Sequence, residues 1–447
     1  MFYKTALPTA VAAALSILSG TAVAQENSGA FFDDTKVTGG FYVFSRKRDR
    51  YNLETREYED NLDHTSIMTN IDISTGYANE MIGFDFGIFA AADIKQNSGV
   101  GHEFNFVPWD TPYEATWTGK EENGASIYKA AIKFKTGNYW AKAGYIQPSG
   151  PGGLGTNWNF MPGTYQGTQI GANFNKLQIA YTWANEYKAP WFNSTYEFKN
   201  NNGKKIDYIH SLGAIYTFNN GFSIDGAFSQ SKDFLDTYHI KLKNNLDVAG
   251  GNLYLSYQFY GADDTRNVSD ADKVYDGRAW MQALMASYSL GSYTFRAEAM
   301  ATKAEGNQGY FIYRTTTNSG SSQGRNEIWW DSRSDWSHDD EKAVFFGVWR
   351  DFADLGKPGW SAGISYAYGW DGKPHTGYKD QTVEFKEEAF NLDIDYTFQD
   401  GDLKGASVSV HMTKYNNQSG VPNWEGFKGS FQDEHDIKVS MVFPFSF

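Results

Sequence analysis

The chain has 447 residues, a formal charge of -14 and no cysteine, with a mean hydropathy of -0.55. Its acidic balance argues against a nucleic-acid partner, because phosphate binding draws on basic surface, and no segment has the run of about 18 apolar residues that a spanning helix needs. Aromatic residues nevertheless make up 17% of it, more than a hydrophilic soluble protein requires and what a barrel with aromatic girdles at both membrane interfaces would use.

Residues 1–24, "MFYKTALPTAVAAALSILSGTAVA", carry one cation at Lys4, an apolar stretch and a small-residue Ala-Val-Ala ending. This pattern predicts a secretory signal peptide, leaving 25–447 as a single exported domain. Export suits the lack of cysteine, since nothing in the fold would depend on a disulfide.

From there on the chain alternates. Thr65, Ile67, Thr69, Ile71 and Ile73 share one parity, against Ser66, Asn70, Asp72 and Ser74. Ile82, Phe84, Phe86, Ile88, Ala90, Ala92 and Ile94 then alternate with Gly83, Asp85, Gly87 and Asp93. The pattern returns at 177–183, 222–229, 390–398 and in the closing "DIKVSMVFPFSF" of 436–447, with weaker segments at 167–174, 235–246 and 277–290. Period two over about nine to thirteen residues is longer than a soluble strand usually runs and fits a tilted membrane strand. Tight connections at 78–81, 136–138, 219–221, 290–292 and 399–402 interleave with long ones at 95–124, 148–166, 188–205, 306–341 and 416–432. The expected fold is all-β: a transmembrane antiparallel β-barrel of about 18 strands, with short periplasmic turns and long extracellular loops. The closing strand, ending on Phe447, should pair with the first so that no sheet edge meets lipid.

Catalytic and ligand motifs are weak. "GPGGLG" at 150–155 lacks the Lys-Ser/Thr and strand-to-helix setting of a phosphate loop and reads as a flexible loop. Asp270, Asp272 and Asp276 lie in an acidic run at 263–277 whose spacing misses the EF-hand pattern, so a solvated loop is expected there. Eight scattered histidines show no metal-ligand spacing, and no Gly-x-Ser-x-Gly elbow occurs. Neither a cofactor nor an enzyme is indicated, although an outer-membrane lipase or esterase, or an adhesin using the long loops, is a competing class.

Two other features point to a pore. Aromatic residues gather in or beside the long loops: Trp158, Phe160, Tyr165, Tyr187, Trp191, Trp329, Trp330 and Trp336. Sugar rings could stack on them, with polar partners such as Arg314, Asp331, Arg333 and Asp335 alongside. Lumen parity also selects a set of charges, namely Arg46, Arg48, Lys129, Lys133, Lys142 and Arg296, with Asp85 and Asp93 facing them to set a transverse field.

The stretches "TGGFYVFSRKRDR" (38–50), "WAKAGYIQPSG" (140–150), "FMPGTYQG" (160–167), "WANEYKAPW" (183–191), "YDGRAWMQAL" (275–284) and "IWWDSRSDW" (328–336) resemble the OprD-type family of substrate-specific outer-membrane porins, and within it the chitoporins of enteric bacteria. The resemblance implies a monomeric 18-stranded channel in the outer membrane of a Gram-negative bacterium, admitting chito-oligosaccharides. Its inward-folded loops would be 148–166 and 306–341, and Arg46, Arg48, Lys129, Lys133, Lys142 and Arg296 its basic ladder. Outer-membrane lipid, lipopolysaccharide and the barrel-insertion machinery would be its partners, the last reading the terminal Phe447. A channel of the same fold for small carboxylates, basic amino acids or peptides is the nearest alternative.

Overall fold

A computed structural model of the protein describes residues 29–97, 105–107, 121–156, 161–316, 322, 324–422 and 424–447. The expected signal segment, Trp158 and Phe160 lie outside them. After a short helix, Gly29–Asp33, come β1 (Lys36–Asn52), β2 (Glu57–Ser74), β3 (Ile82–Gln96), β4 (Gly124–Thr136), β5 (Tyr139–Ile146), β6 (Thr164–Asn173) and β7 (Leu177–Lys188). The short β8 (Tyr196–Lys199) and β9 (Lys205–Ile206) follow, then β10 (Ile209–Thr217), β11 (Ser223–Ser231), β12 (Leu235–Val248), β13 (Gly251–Asp264) and β14 (Arg278–Leu290). The rest are β15 (Tyr293–Lys303), β16 (Lys342–Asp351), β17 (Trp360–Gly372), β18 (Phe385–Thr397), β19 (Ser407–Asn417) and β20 (Glu434–Ser446).

Of these 20 strands, β8 and β9 sit in the loop between β7 and β10, which pair directly. The other 18 form one closed antiparallel sheet, as the alternation predicts, and the weaker segments are strands β6, β12 and β14. Closure runs along β1 and β20, from Thr38 opposite Ser446 to Arg50 opposite Glu434. The Phe447 backbone extends the seam, its N–H donating to the Val37 carbonyl at 2.8 Å. Each of the 18 therefore has two neighbours, the condition for a sheet to stand in hydrocarbon.

Parity decides what each face meets. On β2, Leu62, His64, Ser66, Met68 and Asn70 are buried, while residues of the other parity face outward. The outer wall is a band of exposed apolar side chains, among them Phe41, Phe84, Ile132, Ile170, Leu212, Leu284, Phe346, Ile364 and Phe390. In water such a band would be an aggregation surface; in a bilayer it is the solvated face, where a Lys or Arg at the midplane would cost about 2–4 kcal/mol. Buried polar groups gather inside instead, an inversion of the soluble pattern.

One bulge corrects simple alternation. On β4, Lys129 lies opposite Gly87 and Ile127 opposite Ile88, leaving Tyr128 as the extra residue. Tyr128 and Lys129 consequently both reach inward, each hydrogen-bonding Asp72.

The lower rim carries short turns, such as 137–138 and 249–250, and the upper rim carries the long connections, including 304–341 and 418–433. "GPGGLG" is no flexible loop: residues 151–155 are buried, and the Gly153 N–H donates to Ser211 Oγ at 2.7 Å. A Cβ on Gly213 would lie 2.3 Å from Gly152 N, so glycine on the wall lets this loop press against the inner face.

Candidate functional site

The 304–341 connection crosses the inside of the barrel, and its hydrogen bonds trace the path. Ser322 meets Tyr165 on β6, and Arg325 donates to the Pro148 carbonyl of the other inward loop, at 2.9 and 3.0 Å. Glu327 accepts from Lys241 and Lys243 on β12 at 2.8 and 2.7 Å. The Trp330 indole N–H donates to Glu298 on β15 at 2.8 Å, and Ser332 accepts from Asn391 on β18 at 2.7 Å. Asp331 reaches Lys438 on β20, while its carbonyl meets His411 on β19 at 2.8 Å. In their described residues, both loops expected to turn inward do so.

The segment 329–336 follows no regular element. Asp331, Arg333 and Trp336 hold φ of 51°, 75° and 56°, the left-handed region that non-glycine residues avoid. Such backbone persists only where surrounding contacts over-determine it. Here they do, because Trp330 stacks on Phe345 at 5.4 Å, Trp336 packs edge-on to Tyr415 at 6.4 Å, and Arg333 binds Glu434.

The charges around the expected cations fall into three groups on the inner wall. At the seam, Arg46 grips Asp436 with hydrogen bonds that include Nε to Oδ1 at 2.7 Å and Nη2 to Oδ2 at 2.5 Å, and Glu434 gathers Arg50 at 2.6 Å, Arg48 at 3.9 Å and Arg333. On β2 to β5, Lys129 pairs with Asp72 at 2.6 Å, while Lys133 and Lys142 share Asp85 at 2.9 and 3.5 Å. Around the far wall, Arg296 pairs with Glu298 and donates to the Trp329 carbonyl at 3.1 Å. The six expected cations are all on inner faces. Asp85 and Asp93 do not oppose them across the pore, however: Asp85 sits between Lys133 and Lys142, and Asp93 accepts from Ser66 at 2.6 Å. A carboxylate this close neutralises its neighbours locally, which leaves no simple transverse field from this group.

The aromatic set divides by burial. Trp330, Trp336, Tyr165 and Tyr187 are packed away, the two tyrosine rings 4.5 Å apart. Trp191 is half-buried against the same core. Trp329 is 59% exposed, on the loop that crosses the lumen. In the acidic loop, Asp270 pairs with Lys273 at 3.0 Å and Asp272 accepts from Ser269 at 2.6 Å, so these carboxylates are engaged by neighbours and do not converge.

Several lumen residues escape sequence reasoning. Arg50 continues the parity of Arg46 and Arg48 and was within reach of it. Lys241 and Lys243 share a parity on a weakly patterned strand, Glu298 and Glu434 continue the parities of Arg296 and Asp436, and Glu327 and His411 announce nothing locally.

The Glu327 anchor makes a pH prediction. Burial alone would raise its carboxyl, but Lys241 and Lys243, bonded to it, outweigh that and hold it below the ordinary carboxylate range. A depressed folded value means the anchor contributes above the ordinary pKa and is lost as pH falls through the lower one. Open-channel current noise should rise below about pH 4 as this stretch of loop loosens. Glu327→Gln should show that noise already at pH 7; a variant as quiet as the parent would remove Glu327 as the anchor.

The family model "outer membrane porin, OprD family" matches residues 29–443. The chitoporin of Escherichia coli (strain K12) is 41% identical over 460 aligned positions, covering 99% of this chain and 98% of that one. Among solved structures, Acinetobacter baumannii OccAB1 superposes with a TM-score of 0.75 at 17% identity, over 95% of this chain and 100% of its own. Pseudomonas aeruginosa OpdK, solved with vanillate, gives 0.72 at 16% identity over 93% and 100%. With a closed 18-stranded barrel, two loops turned into its lumen and a charged inner wall, the chain belongs to the OprD family of outer membrane porins.

Proposed function

We propose that the protein is a passive, substrate-selective channel for oligomers of N-acetylglucosamine across the outer membrane. The observation that carries this is the 41% identity, extending over 99% of the chain, to a protein named for that role. OpdK, whose vanillate is a small carboxylate, shares only the fold at 16%.

The lumen supports the reading. Trp329 offers an open indole face for the C–H side of a sugar ring, beside Arg296 and two positions before Asp331. Lys129 and Lys142, each about a third exposed, give the hydroxyls and acetamides further partners along the wall. Conduction requires each stop to be weak enough to leave, so several shallow contacts serve better than one deep pocket. Trp330, Trp336, Tyr165 and Tyr187 then act as the frame holding the loop, and the closed barrel works as a monomer.

Single-channel recording with the purified protein tests this. Chitohexaose should block the current in resolved, concentration-dependent events, in single-level steps, whereas maltohexaose and benzoate at equal concentration should not. Block by the carboxylate with none by chitohexaose would overturn the proposal in favour of the carboxylate alternative.

A further inference from the structure

The histidines show no metal-ligand spacing along the sequence, yet folding brings His338, Glu341 and Glu387 together at the foot of the lumen-crossing loop. One ligand atom from each lies within 4.8 Å of the others. All three are buried, at 3%, 1% and 0% exposure. His338 and Glu341 close the loop's return limb, and Glu387 stands on β18. We propose that these three side chains bind a divalent transition-metal ion of the zinc type, clamping the return limb to the barrel wall.

Two carboxyl groups are buried side by side, and no lysine or arginine among the described residues forms an ion pair with either. Uncompensated buried charge is strongly unfavourable, so something must neutralise the pair. A dication does so and uses the donors present, since imidazole nitrogen and carboxylate oxygen are the ligands zinc takes with an open fourth position.

His338 Nε2 is buried without a hydrogen-bond partner, and Glu341 Oε1 has none unless a proton bridges it to Glu387. The other polar atoms of the three side chains are held by hydrogen bonds, as those of ligating groups usually are. Ser334 and Tyr415 donate to the two Glu387 oxygens at 2.7 and 2.5 Å, and His338 Nδ1 lies 3.1 Å from Glu341 Oε2. Phe385 and Phe427, with ring centroids 4.2 and 5.7 Å from that of His338, cover the cluster.

The test uses the full-length protein in detergent, stripped with a chelator and titrated with Zn2+, with metal content measured after desalting. One ion per chain should be retained, and the heat-denaturation midpoint should rise by several degrees with excess Zn2+. His338→Gln and Glu387→Gln should each weaken binding at least about tenfold and abolish the midpoint shift. Glu388→Gln, altered on the outer face, should keep both. Should the two ligand variants fail to fold, Co2+ bound to the parent decides, through the visible bands of a low-coordinate site with a nitrogen ligand. Retention of no metal by the parent would overturn the proposal and leave a proton shared between the carboxyls. Equal zinc in His338→Gln, or Co2+ bands of an all-oxygen octahedral site, would overturn it as adventitious binding.

Discussion

Glu434→Ala is expected to shift the pore toward anions and to destabilise the protein by about 3–5 kcal/mol, the usual result of removing one partner from a buried charge group. The carboxylate is fully buried and serves three guanidinium groups, those of Arg48, Arg50 and Arg333. Arg50 and Arg333 also converge on one ring, their guanidinium carbons 5.6 and 3.6 Å from the centroid of Phe431. Without the acid these cations repel one another, and Arg333, the middle of the strained segment, loses the contact that holds its backbone. Three results should appear together: a lower denaturation midpoint, a reversal potential in a KCl gradient displaced toward chloride, and more flicker in the open state. Glu434→Gln keeps the volume and two hydrogen-bonding positions, so it should show the selectivity shift with a smaller loss of stability. The exposed pair Lys342 and Asp371 gives the scale, since breaking it should cost no more than about 1 kcal/mol. Parent-like midpoint and reversal potential in Glu434→Ala would mean that the acid organises nothing.

The seam around Glu434 also shows how far a sequence can be read. Period two places Arg46, Asp436 and Lys438 on the inner face, because a strand's parity is a local property. Which carboxylate takes which guanidinium is not local: Arg46 and Asp436 are 390 positions apart and meet only because the barrel closes. The same limit explains Asp85. Its inward direction was legible, but its place between Lys133 and Lys142 depends on β3 pairing with β4 and β4 with β5. Loop tryptophans were harder still. An irregular segment has no period, so nothing in "IWWDSRSDW" separates Trp330, turned to Glu298 and Phe345, from its exposed neighbour Trp329.

That difference between adjacent tryptophans supports the second prediction. Trp329→Ala removes an exposed ring that holds nothing in place, so stability should stay within about 0.5 kcal/mol and open conductance should be nearly unchanged. If its face is where the oligosaccharide stacks, chitohexaose residence in the pore should fall about 5–30-fold, corresponding to about 1–2 kcal/mol for one ring contact. Trp330→Ala should behave in the opposite way. It empties a buried site and takes the indole donor from Glu298, costing about 3–5 kcal/mol, and the freed loop should alter conductance before any sugar is added. Tyrosine or phenylalanine at 329 should recover most of the residence time, since each keeps an aromatic face. Unaltered chitohexaose residence in Trp329→Ala would remove this ring from the sugar path and shift attention to the half-buried Trp191. A loss of conductance together with residence would instead place Trp329 among the residues that hold the loop. Reading both quantities from the same recordings separates an aromatic that binds from one that supports, a distinction that burial makes in this lumen and composition cannot.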